Sequence, residues 1–165
     1  MSRALLVALA GLLVTVGLAR RADAQSFEIT AAGLRTGASL DNDLTQFLIG
    51  GQLDIGRLAA NLRVQPLLTL GFGDHATSLL AGAEAHVLFP VREARLEPYL
   101  GGGVGISHVS VDGAGRGRDE TEAVLLLAGG VDIPMSNWWG YFAEARFVIG
   151  DQSVFRLEGG VNWAY

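Results

Sequence analysis

Charged and polar residues recur two positions apart along the second half of the chain. The clearest pairs are Glu84 with His86, Glu144 with Arg146, and Arg156 with Glu158. Residues i and i+2 lie on the same face of a β-strand, so each pair predicts two side chains that share one surface. A histidine beside a carboxylate offers metal-binding groups, but the three histidines are scattered and cysteine is absent, so no metal spacing is present. We interpret the pairs as parts of a polar network, with no metal and no cofactor.

These pairs sit in segments that alternate strictly between apolar and polar residues. In the last segment Phe155, Leu157 and Val161 share one face, and Arg156 and Glu158 share the other. Period-two alternation is typical of a strand with one apolar and one polar side. The residues 150–152, "GDQ", predict a tight hairpin before this strand. The same pattern predicts eight strands in all, at 26–35, 45–55, 58–70, 77–89, 96–109, 121–133, 139–149 and 153–165.

The contents of the two faces decide which solvent each one meets. A soluble lipocalin-like barrel needs a charged exterior, whereas here the apolar set is bulky, continuous and nearly free of charge. The polar set contains glycine, short polar residues and charges of both signs, as the lumen of a membrane barrel does. A closed barrel also satisfies every backbone polar group within a bilayer. We therefore predict an all-β fold, an eight-stranded antiparallel up-and-down transmembrane β-barrel, with a soluble exported ligand-binding barrel as an alternative.

The polar face then fills a lumen that, with eight strands, is just wide enough to hold side chains. Buried charges require partners, so we expect paired networks in place of a wide channel. In one allowed register of the last hairpin Arg146 lies directly opposite Glu158, which is favourable for unlike charges. A narrow pore for small solutes, lined by the same groups, is the alternative. The predicted lumen network is Glu28, Asp54, Arg63, Glu84, His86, Glu144, Arg146, Arg156 and Glu158.

The N-terminal residues 1–24 have the pattern of a secretory signal peptide. A positive start, the uncharged apolar run 4–19 and the small-x-small site Ala22-Asp23-Ala24 predict cleavage before Gln25, with cleavage after Ala19 as an alternative. The apolar run is shorter than the roughly 20 residues that span a bilayer as a helix. We expect one barrel domain at 25–165. Its excess of acidic residues, without a basic stripe, argues against nucleic acid as a partner.

An even number of strands returns both chain ends to one side of the membrane, which after export is the periplasm. The predicted outer loops are then 37–44, 71–77, 110–120 and 150–152, and the predicted periplasmic turns lie near 56–58, 90–95 and 134–137. Aromatic side chains gather at the periplasmic end, where they form an interfacial girdle. The predicted girdle is Phe27, Phe89, Trp139, Tyr141, Trp163 and Tyr165.

The C-terminal residues "EGGVNWAY" resemble the targeting signal of bacterial outer-membrane barrels, with Glu158, Gly160, Trp163 and Tyr165 in the signal positions. The resemblance implies recognition of the last strand by the barrel-assembly machinery. Residues 25–165 resemble the small barrels of the OmpA transmembrane-domain, OmpX and opacity-protein type, most clearly at 97–107 and 127–147. The resemblance to these small barrels implies a monomer in the outer membrane of a Gram-negative bacterium, in contact with lipid and lipopolysaccharide. It also implies a structural or surface-interaction role.

Two lipid A-modifying enzyme families have barrels of this size, and the sequence departs from both. The deacylase type uses a His-x-Ser pair with a nearby acid, and this chain has one such pair, His108 and Ser110. In that family the pair lies near the outer end of a later strand, where this chain reads "AEARFVIG" without histidine or serine. The palmitoyltransferase type begins with an amphipathic helix, for which residues 25–30 leave no room. We predict no catalytic residues, and a lipid A-modifying enzyme stays as an alternative.

Overall fold

The fold is a closed antiparallel β-barrel. The computed structural model describes residues 28–40, 45–59, 61–74, 76–89, 91, 95–111, 118–151 and 153–164. The predicted signal peptide 1–24, Phe27 and Tyr165 lie outside the described residues. No helix within these ranges is long and apolar enough to cross a membrane. The strands are β1 Ala31–Leu40, β2 Gln46–Asp54, β3 Arg57–Ala59, β4 Leu62–Phe72, β5 Ala76–Leu88, β6 Glu97–Val111, β7 Arg118–Pro134, β8 Trp139–Ile149 and β9 Val154–Ala164.

The strands follow one another around the barrel in chain order. Strand β1 pairs with β9, and β2 pairs with β4, so the sheet has no open edge. The short β3 continues β2 along β4 after Gly56, whose φ of 56° interrupts the extended backbone. Strands β2 and β3 together therefore occupy a single strand position in the barrel wall, called here a stave. The described residues form eight staves. The predicted fold class is confirmed.

Burial alternates along the strands as the sequence pattern predicts. On β7, Leu126 is fully buried in the lumen, whereas its neighbours Leu125 and Leu127 are 56% and 52% exposed on the exterior face. On β5, Glu84 and His86 are buried and Val87 is exposed. The barrel therefore buries charged and polar side chains inside, together with an apolar set that includes Leu126, and exposes large apolar side chains outside. An apolar exterior around buried charges is the reverse of a water-soluble protein.

The first strand differs from the prediction in both position and facing. It spans Ala31–Leu40 instead of 26–35, and residues 28–30 precede it as exposed, irregular chain. The alternation in the sequence predicts Ala31, with Phe27 and Ile29, on the outward apolar face, but Ala31 is buried and Leu34 is 61% exposed. The alternation in this segment is weak because most of its residues are small, so pairing with β2 and β9 sets its register.

Glycines in the lumen stand beside the largest lumen side chains. Arg35 pairs with Gly50 on β2 and Gly160 on β9, and His86 pairs with Gly101 on β6. A Cβ atom on Gly101 would lie 2.2 Å from His86 Cδ2, which is closer than carbon atoms approach. The absence of a side chain at Gly101 therefore leaves the space that the histidine ring occupies in the lumen.

We expect Gly101→Ala to destabilise the barrel by about 1–3 kcal/mol, because the new methyl group overpacks the lumen against His86. Gly102→Ala is the matched control. A Cβ atom on Gly102, which faces the exterior, would lie 3.4 and 3.6 Å from its nearest atoms, which is ordinary van der Waals contact. Urea unfolding of both variants in detergent micelles measures the difference. Equal losses of stability in the two variants would contradict the steric explanation.

Candidate functional site

Arg146 on β8 is the centre of an ion-pair cluster at mid-height in the lumen. Its Nε and Nη2 donate to the two carboxylate oxygens of Glu84 on β5, at 2.8 and 3.0 Å. Its Nη1 donates to Glu158 on β9 at 2.6 Å, and Nη2 also donates to Glu144 at 2.5 Å. All four side chains are fully buried. One guanidinium thus neutralises carboxylates from three strands, through a bidentate pair and two further charge-assisted bonds.

Arg35 and Tyr99 extend this cluster across the barrel. Nη2 of Arg35 on β1 lies 3.0 Å from Glu144 Oε1 and 3.4 Å from Glu158 Oε2. The Tyr99 hydroxyl on β6 donates to the other oxygen of Glu144 at 2.8 Å. The central cluster, defined as Arg35, Glu84, Glu144, Arg146, Arg156 and Glu158, carries three positive and three negative side chains.

A second cluster lies nearer the end of the barrel where β1 begins and β9 ends, called here the terminal end. Nη1 of Arg63 donates to Asp132 at 2.7 Å and lies 3.7 Å from Asp54. Gln65 donates to the other oxygen of Asp54 at 2.7 Å. Nη2 of Arg63 lies 3.1 Å from His86 Nδ1. These contacts join β2, β4, β5 and β7 across the lumen.

His86 connects the two clusters. Because a guanidinium only donates, Nδ1 of His86 accepts from Arg63, and the proton on Nε2 is then donated to Glu84 at 3.0 Å. The ring also stacks on Tyr99, with centroids 4.7 Å apart and planes 12° from parallel. The imidazole thereby makes its two hydrogen bonds and one ring contact, so it has a structural place in the network.

An apolar layer lies in the lumen on the other side of the central cluster. It consists of Leu67, Leu80, Val124, Leu126 and Val148, all buried and in mutual contact. Beyond it Ser78 donates to Gln46 Oε1 at 2.7 Å, and Gln46 donates to the Ala76 carbonyl. Two ion-pair clusters and one apolar layer therefore occupy successive levels of the barrel interior.

The register of the last hairpin differs from the predicted one. Arg146 lies directly across from Arg156, and Glu144 lies directly across from Glu158. The ion pair between Arg146 and Glu158 forms diagonally instead. Like charges are tolerated in these positions because unlike charges from other strands, Glu84 from β5 and Arg35 from β1, reach the same level of the lumen. The hairpin alone does not contain the partners that set this arrangement.

The structure places the predicted lumen residues as follows. Glu28 was assigned to the lumen wrongly, because it precedes β1 and is exposed. Asp54 is half-buried, in contact with Arg63 and Gln65. Lumen residues absent from the predicted network include Arg35, Tyr99 and Asp132. Asp132 alternates in phase with Glu122 and Gly130 on the polar face of its strand, which was a usable signal. The buried members of the predicted set are Arg63, Glu84, His86, Glu144, Arg146, Arg156 and Glu158.

One group of described residues has the composition of a metal site. Ligand atoms of Glu84, His86 and Glu144 lie within 4.8 Å of one another. The same carboxylates accept hydrogen bonds from Arg146, and both nitrogens of His86 are engaged. A metal cation at this position would face the guanidinium of Arg146 at close range. The geometry therefore favours ion pairs over metal coordination.

His108 and Ser110 lie on the exterior face of β6, near the end opposite the terminal end. Nδ1 of His108 lies 2.8 Å from the Thr121 hydroxyl, and the Ser110 hydroxyl donates to Asp119 at 2.7 Å. A serine nucleophile needs its histidine as the proton acceptor. In the described geometry the serine proton points to the carboxylate, and the two side chains are separately engaged with β7.

Exposed tryptophan and tyrosine side chains gather at the terminal end, whereas the exposed Phe47, Phe72 and Phe147 lie near the opposite end. Trp139 packs edge-on against Tyr141 with centroids 5.1 Å apart, and it pairs across the strands with Trp163. Trp138, which the prediction omitted, is 61% exposed beside them. Phe89 lies at the same end, after β5. Of the predicted C-terminal signal residues, Glu158 faces the lumen and Trp163 the exterior, with Gly160 between them on β9.

A closed eight-stranded barrel with an apolar exterior and a charged lumen is the fold of the small outer-membrane β-barrels. No protein-family model and no curated protein matches the sequence. The structure is similar to the N-terminal barrel domain of Pseudomonas aeruginosa OprF, with a TM-score of 0.68, 11% identity, and coverage of 83% of this chain and 98% of that chain. It is equally similar to Neisserial surface protein A, with a TM-score of 0.68, 17% identity, and coverage of 82% and 96%. The outer membrane enzyme PagL is a further match, with a TM-score of 0.54, 13% identity, and coverage of 82% and 99%.

We expect Arg146→Gln to destabilise the barrel by about 3–5 kcal/mol, because three buried carboxylates then lose their shared cation. Arg95→Gln, at an exposed arginine, is the control and should change stability by less than about 0.5 kcal/mol. Adding Glu84→Gln to Arg146→Gln should recover part of the loss, since it removes one of the unpaired charges. Urea unfolding in micelles measures all three. A loss below about 1 kcal/mol for Arg146→Gln would contradict its central role.

Proposed function

We propose that this protein is an integral barrel of the outer membrane of a Gram-negative bacterium. The observation that carries the proposal is the exterior face, where leucine, phenylalanine and other large apolar side chains are exposed on every long strand. Exposure of such a surface to water is unfavourable, whereas its contact with hydrocarbon is favourable. The closed sheet leaves no unpaired strand edge for the bilayer to meet.

The proposed role is structural or surface-interactive. The terminal end, with its exposed tryptophans, is assigned to the periplasmic interface, where amphipathic rings are favoured. The connections at the other end, between β1 and β2, β4 and β5, β6 and β7, and β8 and β9, then face outward. Neisserial surface protein A, a surface protein by its name, has a similar fold. The proposed partners are membrane lipid, lipopolysaccharide and, during biogenesis, the barrel-assembly machinery, with the folded protein as a monomer.

Single-cysteine labelling tests the membrane placement and the orientation together, because the chain has no cysteine of its own. Asp74→Cys lies in an exposed turn opposite the terminal end, and Asn137→Cys lies in an exposed turn at the terminal end. A membrane-impermeant maleimide should label residue 74 in intact cells, and residue 137 only after the outer membrane is permeabilised. Labelling of residue 137 alone in intact cells would reverse the orientation. Recovery of both variants in the soluble fraction would refute the membrane placement.

We propose that the lumen does not conduct solutes. Side chains fill it at successive levels, and the central guanidinium is hydrogen-bonded to three strands at once. An open path would require separating charges that are paired in a region of low dielectric, which costs several kcal/mol. The buried network therefore supports a closed barrel over the narrow-pore alternative.

Reconstituted vesicles test the closed lumen. The protein is folded into phospholipid vesicles, and folding is checked by a heat-modifiable band on an unboiled gel. The efflux of a trapped small ion should equal that of empty vesicles, while vesicles with a known porin release it rapidly. Stepwise single-channel conductance in a planar bilayer would favour the pore.

We propose no catalytic role for His108 and Ser110. Their hydrogen bonds run separately to Thr121 and Asp119, which supports a polar pair at the interface with water. Expression of the wild type should leave the mass of lipid A unchanged. A mass shift that disappears in Ser110→Ala would instead establish a lipid A-modifying enzyme.

A further inference from the structure

The central cluster contains two arginines whose hydrogen-bonding capacity is only partly used. Arg35 and Arg156 are 2% and 4% exposed. Nε and Nη1 of both side chains are buried and have no hydrogen-bond partner among the described residues. A buried guanidinium with unmatched N–H groups is costly, because it has lost its hydration without replacing it.

Arg146 donates more hydrogen bonds to the three carboxylates of the cluster than any other described residue does. Glu84, Glu144 and Glu158 each accept from Arg146, and Arg35 reaches Glu144 and Glu158 through Nη2 alone. Arg156 lies directly across from the cation Arg146 on one side and from Ser39 on the other. The formal charges of the cluster cancel, but their distribution leaves the region around Arg156 positive.

Glycines lie beside several of the unmatched groups on the lumen face. Gly50 pairs with both Arg35 and Thr69, so no side chain stands between these two residues on the lumen face. Thr69 Oγ1 is itself buried without a partner in the described part of the chain. Gly37, the next lumen position on β1 after Arg35, pairs with Glu158, whose Oε1 is also unmatched within the described ranges.

The unmatched groups are mostly donors. Each Nη1 carries two N–H groups and each Nε one, whereas the unmatched acceptors at this level are Glu158 Oε1 and the Thr69 hydroxyl, which also donates. Gln52 Oε1 and Asp132 Oδ1, also unmatched within the described residues, lie nearer the terminal end. A cation would be repelled by the guanidiniums, and a water molecule brings as many donors as acceptors. The ligand that fits is a small anion, because it only accepts and it is attracted to the uncompensated charge.

We propose that the lumen binds one small inorganic anion of halide size, held by the Nε and Nη1 groups of Arg35 and Arg156. Larger oxyanions are excluded because the Arg146 ion pairs and the apolar layer around Leu126 fill the neighbouring levels of this narrow barrel. Such an anion completes the hydrogen bonding of Arg156, so it stabilises the folded barrel. This inference concerns the interior, and it holds whatever the external loops bind.

The test compares stability in chloride with stability in gluconate, an anion too large for the site. The wild type is folded in zwitterionic detergent micelles and unfolded with urea, which adds no halide, at constant ionic strength. As chloride replaces gluconate above its dissociation constant, the folding equilibrium constant should rise about tenfold for each tenfold increase in chloride. Arg156→Gln should lose this dependence, and Arg95→Gln, with its exposed arginine, should keep it.

Bromide gives an independent readout that needs no variant to fold. Anomalous diffraction from crystals grown in sodium bromide should show one peak in the lumen, within contact of the guanidiniums of Arg35 and Arg156. The proposal is overturned if stability is the same in chloride and gluconate, or if Arg156→Gln keeps the full chloride dependence. Ordinary water density at this position, without an anomalous peak, also overturns it.

Discussion

The bonds of Arg146 to three glutamates are the interaction on which the lumen depends. They tie β5, β8 and β9 together across the barrel, whereas backbone hydrogen bonds join only neighbouring strands. An arginine suits this position because its planar fork donates in several directions at once, which lysine does not do. The charges lie in a region of low dielectric, so each unmatched group is expensive and each matched pair resists separation. This pairing is the physical basis of the proposal that the lumen is closed.

The arrangement needs space as well as charge, and glycine supplies the space. Arg35 lies between Gly50 and Gly160, and His86 lies beside Gly101. A closed barrel of eight strands has a narrow interior, so a large side chain on one strand requires a small one on the next. The glycines that look like a flexible run in the sequence are therefore fixed packing positions. Their spacing determines which side chains reach the centre.

The outer and inner surfaces of the barrel lie in different environments. Outside, large apolar side chains such as Leu127 are stable only against hydrocarbon, and the tryptophans at the terminal end suit a water–lipid interface. Inside, most of the polar groups form hydrogen bonds and ion pairs with one another. Neither surface therefore offers a wide cavity for a substrate.

The sequence by itself determined the number of staves and, in all of them but the first, which face points outward, because a period of two residues is a local property that survives in any register. It also indicated most of the charged lumen residues, since Glu84, Glu144, Arg146 and Glu158 stand in phase with that alternation. Only the tertiary structure decided how they pair. Arg35 and Tyr99 join the cluster, Glu28 does not, and Arg146 faces Arg156 instead of Glu158. The physical reason is that closure brings β1, β5 and β8 to one level of the lumen, and the lowest energy pairs charges across that space instead of along a single hairpin.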